Sequence, residues 1–322
     1  MRSSSVSSGR RMITEGQHSP PRLSEPLGNR NVSVVIPTFG RNEVLVETIE
    51  RLLALDPPPA ELLVMDQTAS HAHEAERELA SLAEAGRIRW FRLPRPSIPA
   101  AMNRGLLLAT HDIVIYLDDD VVPAPDLVAA HLAAQRGSAI VVGQVLQPGE
   151  QPVAGSGTGG SAFNSSTRGE IGEIIGCNFS VRRQVALALG GFDERFVAVA
   201  YRFEQEFADR ARRAGHSILF EPAASIRHLR APSGGTRAYG VHLRTARPNH
   251  SVGRYYYLLR ARPAGWLMRL LRSPLRAVCT RHHLRRPWWI LPTLLAEAGG
   301  LLWALGLFAA GPRLLRPEEG SG

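Results

Sequence analysis

The chain contains no lysine: all 38 of its basic residues are arginine, set against 29 acids, for a formal charge of +9 over 322 residues. Arginine is the better bidentate phosphate binder, but a bias this complete reads as genomic rather than functional. Cysteine is nearly as scarce. Cys177 and Cys279 stand far apart, so neither a disulfide framework nor a thiolate metal spacing follows, and a reducing compartment fits. The N-terminus lacks an apolar h-region, and no secretory signal is expected. No G-x-G-x-x-G follows the first apolar run, which argues against a dinucleotide-dependent oxidoreductase. The basic excess is concentrated in Arg254 to Arg286, a pattern that suits nucleic acid, anionic lipid or a phosphorylated substrate. It comes without a recognition helix or an aromatic stacking surface, so nucleic acid is not an expected partner.

What the chain does have is a 44% hydrophobic content, enough for one large α/β domain or a domain with an appendage. Residues 1–30 are rich in Ser, Arg, Pro and Gly without periodicity, and are expected to be a disordered tail. Then "VSVVIPTFGR" (32–41) reads as a buried strand and "NEVLVETIERLLAL" (42–55) as a helix. A strand within 57–70, a helix over 71–86, a short strand over 88–94, a helix over 98–110 and a strand over 111–120 follow. A helix over 125–136 and a strand over 139–148 extend the alternation, and the Gly/Ser-rich stretch 149–173 looks like a mobile loop. Segments 176–196 and 201–229 supply further turn, helix and strand. The fold class is therefore α/β: a doubly wound, mostly parallel sheet with helices on both faces. Beyond about residue 240 the pattern changes to Arg-rich helices.

One stretch stands apart, "IVIYLDDDVVPAPD". The apolar run Ile113–Leu117 ends in three consecutive acids, Asp118, Asp119 and Asp120. They repel one another unless something positive sits among them. A solvated turn, helped by Pro123 and Pro125, would account for one Asp. Three acids at the mouth of a buried strand favour a cation site, because open α/β sheets bind ligands beyond their carboxyl ends and hard cations take carboxylates plus substrate phosphates. Pro37-Thr38, Asp66 and Asn103-Arg104-Gly105 converge on the same crevice.

In this order and spacing, "VSVVIPTFGRNEVLVETIERLL", "ELLVMDQTAS", "IPAAMNRGLLLATHDIVIYLDDDVVP", "GCNFSVRR", "GGFDERF" and "RFEQEFADRARRAG" resemble a family 2 glycosyltransferase of the GT-A fold, over roughly 32–230. The resemblance implies an inverting, metal-dependent transfer from a nucleotide-sugar donor to a saccharide or lipid-linked acceptor, with Mg²⁺ or Mn²⁺ as cofactor. It implies nucleotide-sugar contacts from Pro37, Thr38, Arg41, Asp66, Asn103, Arg104, Asp118 and Asp119, and metal ligation by Asp120 and His228. Gln67 replaces the family's second base-reading acid. The general base falls on Glu204 or Glu206, each a Glu where relatives carry Asp. The residues alone would equally allow a helix acid paired with Arg210, an i,i+4 neighbour of Glu206. Ser233–Arg237 would be a lid, and Asp193 a turn acid near the acceptor side. A nucleotidyltransferase would want a Gly-rich first loop with Lys, which is absent. A family member that only binds nucleotide sugar, its catalysis lost through the Glu-for-Asp changes, is the remaining alternative.

The resemblance places a catalytic domain over 31–240 and an Arg-rich helical region over 241–322. In the latter, 288–311 has 24 residues with Glu297 its sole charge. Arg281, Arg285, Arg286, Trp288 and Trp289 flank it as a cytoplasmic interface would. It is expected to meet the membrane by spanning or by lying flat, and to keep the enzyme at the inner face of the cell membrane; burial against the catalytic domain or in a dimer is the other reading.

Overall fold

The computed structural model describes residues 32–155 and 162–316. The expected tail over 1–30 lies outside these residues, as does part of the 149–173 loop. Nine described strands form one sheet. In chain order they are β1 (Val32–Thr38), β2 (Glu61–Asp66), β3 (Arg89–Arg92), β4 (Ile113–Leu117), β5 (Val121–Pro123), β6 (Ile140–Leu146), β7 (Gly169–Ile171), β8 (Asn178–Arg182) and β9 (Ile218–His228). The spatial order is β3-β2-β1-β4-β8-β6-β9-β5, with β7 beside β9.

Helices α1 (Glu43–Leu53), α2 (His73–Glu84), α3 (Ile98–Leu108) and α4 (Leu127–Ala134) punctuate the first half, close to the expected bounds. Strands β1 and β4 are apolar along nearly their whole length because helices cover both faces of the sheet. On one face, Leu45, Ile49 and Leu52 of α1 and Leu79 of α2 cover Val34, Ile36 and Ile115. On the other, α3, α5 (Arg183–Ala188) and α6 (Phe203–Arg213) cover Val35, Tyr116 and Phe179. Helix α3 starts at Ser97, whose hydroxyl accepts from Ala100 N–H, and lies so close to the sheet that a Cβ on Gly105 would collide with Val35.

The parallel half, β3-β2-β1-β4, is the half that strand–helix alternation announces. The remainder departs from it. Strand β8 inserts antiparallel between β4 and β6, and β5 pairs antiparallel with β9. Within the Gly/Ser-rich stretch expected to be loop, β7 pairs with β9.

Phe192 sits fully buried amid four rings, with centroids of Phe207 at 4.7 Å, Tyr116 at 5.4 Å, Phe203 at 5.8 Å and Phe179 at 6.2 Å. Phe192→Ala is expected to lower the unfolding free energy in urea by about 3–5 kcal/mol. A loss under ~1 kcal/mol would mean that this cluster does not hold α6 to the sheet.

The C-terminal helices α7 (Val252–Ala261), α8 (Trp266–Val278), α9 (Arg281–Arg285) and α10 (Ile290–Ala309) follow. Val252, Tyr255, Tyr256 and Leu258 of α7 and Ala304 of α10 belong to the α6-side core. Tyr256 donates to Asp193 at 2.7 Å and Tyr257 to Asp209 at 2.8 Å, so α7 is tied to α6 and the segment before it by polar bonds as well as packing.

Candidate active site

The three acids leave β4 at the sheet's centre and run into β5. Because β5 pairs with β9 in the register Val121↔His228, the imidazole lands beside the acids. His228 Nε2 is 3.0 Å from Asp120 and 3.6 Å from Asp118. The ligand atoms of Asp118, Asp120 and His228 lie within 4.8 Å of one another. On the other side of the ring, Nδ1 meets Gln147 Oε1 at 3.2 Å. With Gln147 accepting from Nδ1–H, Nε2 can donate a proton to Asp120 or, once stripped of it, offer its lone pair to a cation.

Asp119 turns the other way. Its carboxylate accepts from Thr38 at 2.7 Å and from Arg41 at 3.1 Å. Arg41 also reaches Asp120 at 3.3 Å and donates to the carbonyls of Ala231 and Ser233. One buried guanidinium therefore holds two of the acids and the loop behind His228. That loop lies against the end of β1, where Gly235 N–H donates to Phe39 O and a Cβ on Gly234 would collide with Gly40.

Burial pushes Asp119 up to about 7, against the pull of Arg41 and Thr38. Burial, with the charge of Asp120, likewise raises Asp118, although His228 opposes it. Burial would raise Asp120 too, but the hydrogen bond and charge of His228, the Ala231 N–H and Arg41 outweigh it and hold this carboxyl below its ordinary value. Burial disfavours the charged form of His228, and the bond to Asp120 reverses that and raises it. Three carboxyls, two of them pushed towards their neutral form, thus share the site with the Arg41 guanidinium and the His228 imidazole.

Across a cavity of about 620 Å³, lined also by Pro37, Gln67, Cys177, Tyr201, Arg230 and Arg237, sits Glu204. It is the second residue of α6, whose N-terminal dipole faces the cavity. Its Oε2 has no partner among the described residues. Burial raises it to about 7, although its own and Gly176's backbone N–H groups and Arg202 oppose the shift. The turn before it holds Ala198, Ala200 and Arg202 at φ of 57°, 53° and 76°, left-handed conformations that non-glycine residues avoid. Glu206 is placed differently. Arg210 Nε donates to both its oxygens at 2.9 Å, and the same guanidinium donates to the carbonyls of Leu189 and Gly191. Glu206 is thus a buried ion-paired group that ties α6 to the turn after α5, and it does not line the cavity.

Residues 33–189, just under half the chain, match the sequence model of glycosyl transferase family 2. These residues are a family 2 glycosyltransferase domain. No curated protein matches the chain. Solved structures do, at identities that speak for the fold alone. GalNAc-T7 with UDP, GalNAc and Mn²⁺ is 18% identical, with a TM-score of 0.51 over 62% of this chain and 44% of that one. The mannosyltransferase PcManGT from Pyrobaculum calidifontis, with GDP-Man and Mn²⁺, is 16% identical, with a TM-score of 0.50 over 89% and 79%. TarS from S. aureus with UDP-GlcNAc is 14% identical, with a TM-score of 0.54 over 72% and 65%. The sheet is that of the GT-A fold, and the cavity lies at the carboxyl ends of its strands.

Not every residue expected at the glycosyltransferase site comes together there. Pro37, Thr38, Arg41, Asp118, Asp119, Asp120, Glu204 and His228 line the cavity; Asp66, Asn103, Arg104 and Glu206 do not. Asp66 is fully buried and already accepts from His71 at 2.7 Å, Trp90 at 2.9 Å and Thr68 N–H at 2.8 Å. Asn103 clasps Phe192 through both its N–H and its carbonyl, at 2.8 Å each. Arg104 is exposed on α3. Gln147 and Tyr201 at the site were missed by sequence reasoning, whereas Gly176 and Cys177 of "GCNFSVRR" do line the cavity. Gln147 ends an apolar strand with no motif around it, and only the β6–β9 pairing brings it under His228.

Proposed function

We propose that this chain is an inverting, metal-dependent glycosyltransferase. It would move a sugar from a nucleoside-diphosphate donor to a hydroxyl of a saccharide or lipid-linked acceptor, in the making of polysaccharide or glycolipid at the cytoplasmic face of the membrane. Residues 31–240 would form the catalytic domain and 241–322 the membrane-facing region. The observation that carries this reading is the opposition, in one GT-A cavity, of the Asp118–Asp120–His228 cluster and the carboxyl of Glu204, whose Oε2 has no partner among the described residues.

Glu204 would take the proton from the acceptor hydroxyl as its oxygen bonds to the anomeric carbon. The bond from that carbon to the donor phosphate breaks on the opposite side, and the diphosphate leaves with the electron pair. Two carboxylate oxygens and an imidazole nitrogen within reach of one point suit Mn²⁺ and are acceptable to Mg²⁺. Asp118, Asp120 and His228 would hold a divalent ion, which would supply positive charge to the leaving diphosphate. Arg230 and Arg237 line the same cavity and add to that stabilisation. Thr38 and Pro37 would floor the nucleotide subsite, with Gln67 at its edge.

The test is calorimetric titration of UDP, GDP and dTDP, and of their sugars, with and without Mn²⁺ or Mg²⁺. One nucleotide class is expected to bind, and only with metal. No binding by any class would overturn the reading. Metal-dependent binding without transfer to any acceptor or hydrolysis would favour the catalytically lost relative.

A further inference from the structure

Among the described residues, twelve of the fifteen exposed large hydrophobic ones fall beyond residue 240. Helix α8 organises four of them. At 3.6 residues per turn its surface divides into three sectors. Trp266, Leu270, Ser273 and Ala277 face the protein, with Ser273 and Ala277 buried. Leu267, Met268, Leu271 and Leu275 form an outward apolar sector, each at least half exposed. Arg269, Arg272 and Arg276 form a third sector beside it, exposed and without a salt bridge among the described residues. From residue 222 to 296 the chain has fourteen arginines and no Asp or Glu. An apolar face bordered by unneutralised arginine complements the boundary of an anionic bilayer, where acyl chains meet negative headgroups.

Helix α10 is the one described helix long and apolar enough to cross a membrane. Its 20 residues would reach about 30 Å, the thickness of the hydrocarbon core. The contacts at its two ends are incompatible with that use. Near its start, Thr293, Ala296, Glu297 and Gly300 are buried; a Cβ on Gly300 would collide with Ser251 just before α7, and Glu297 is held by Arg254 and by Tyr255 at 2.7 Å. Just past its end the chain bonds to the catalytic domain. Arg313 N–H donates to Asp193 at 2.8 Å, Glu194 N–H to Arg313 O at 2.9 Å, and Leu315 N–H to Gly190 O at 2.8 Å. A helix that crossed the bilayer would carry Arg313 and Leu315 to the face opposite Gly190 and Asp193.

We propose that the protein is monotopic: α8 seats its Leu267–Leu275 face in one anionic leaflet, and α10 runs along the catalytic domain without crossing. This rests on the membrane placement proposed above, and is independent of the transfer chemistry. The full chain, with an epitope after Gly322, is mixed with vesicles of phosphatidylcholine alone or with phosphatidylglycerol, floated, and then exposed to protease from outside. Flotation is expected with the anionic vesicles and to fall with salt. The epitope is expected to be digested, and Leu271→Glu/Leu275→Glu, both at exposed positions, to reduce the bound fraction at least about tenfold. An epitope protected by the vesicle would overturn the proposal in favour of a span. Binding unchanged in the double variant would remove α8 from it. A lipid-free dimer that the double variant splits would assign the face to a second copy. Failure to float at all would sink both the monotopic arrangement and the membrane placement, while nucleotide binding by calorimetry judges the transferase reading separately.

Discussion

Glu204→Gln is expected to lower kcat by roughly 10²–10⁴ while metal-dependent nucleotide binding persists. The amide keeps the shape of the side chain and removes its ability to take a proton. In the parent enzyme, a carboxyl raised to about 7 must be ionised to act as base, so the rate should climb as pH rises through about 7 and level off above it. That limb should vanish in the variant. Stability should move the opposite way. A folded-state value above the ordinary one means that the folded protein holds the proton more tightly than the unfolded chain, so ionisation costs stability. The cost grows as pH rises from the ordinary value of 4.5 towards about 7. At pH 8 the variant should therefore be more stable in urea, by on the order of 1 kcal/mol. Glu206→Gln supplies the contrast. It breaks the pair with Arg210 that also holds Leu189 and Gly191, and should lower stability without removing the pH limb. A Glu204→Gln enzyme with undiminished kcat would move the base elsewhere.

Asp120→Asn is expected to weaken metal-dependent nucleotide binding by more than about 100-fold, because it removes the charge of a ligand. Asparagine preserves the volume, so the Leu229 N–H bond to the backbone carbonyl at 2.8 Å and the loop beyond should survive. Asp120→Ala should go further, since Asp120 also accepts from Ala231 N–H at 2.7 Å and from Arg41. Calorimetry with Mn²⁺ and with chelator reads both variants. Equal nucleotide affinity in parent and Asp120→Asn, with and without metal, would leave the three acids as a structural cluster held by Arg41, Thr38 and His228.

The parallel half of the sheet and the acids at its mouth were legible because they are local: a two-residue period, a 3.6-residue period, and Asp118–Asp120 at a strand end. What local pattern cannot carry is who pairs with whom across sixty or a hundred residues. The antiparallel entry of β8, and the β5–β9 pairing that sets His228 beside Asp120, belong to that class. Motif matching also proved blind to occupancy. Asp66 and Asn103 sit where the motif puts them, yet Trp90, His71 and Phe192 have already taken their hydrogen bonds. Glu204 and Glu206 lie two residues apart in one motif, and their surroundings differ in ways the motif does not carry: Arg210 holds both oxygens of Glu206, while Glu204 lines the cavity with its Oε2 unpartnered among the described residues.

The position of β8 also bears on how the chain comes to be folded. β4 is complete at Leu117, but its neighbour on one side begins at Asn178. At synthesis rates of roughly 5–20 residues per second, that edge stays open for roughly 3–12 s. Throughout that interval Ile113–Leu117, the most apolar strand end beside the three acids, offers unpaired backbone to any partner. Charged residues are one device by which sheet edges avoid pairing with other chains, and the charges beside this edge include the same three acids that later line the cavity.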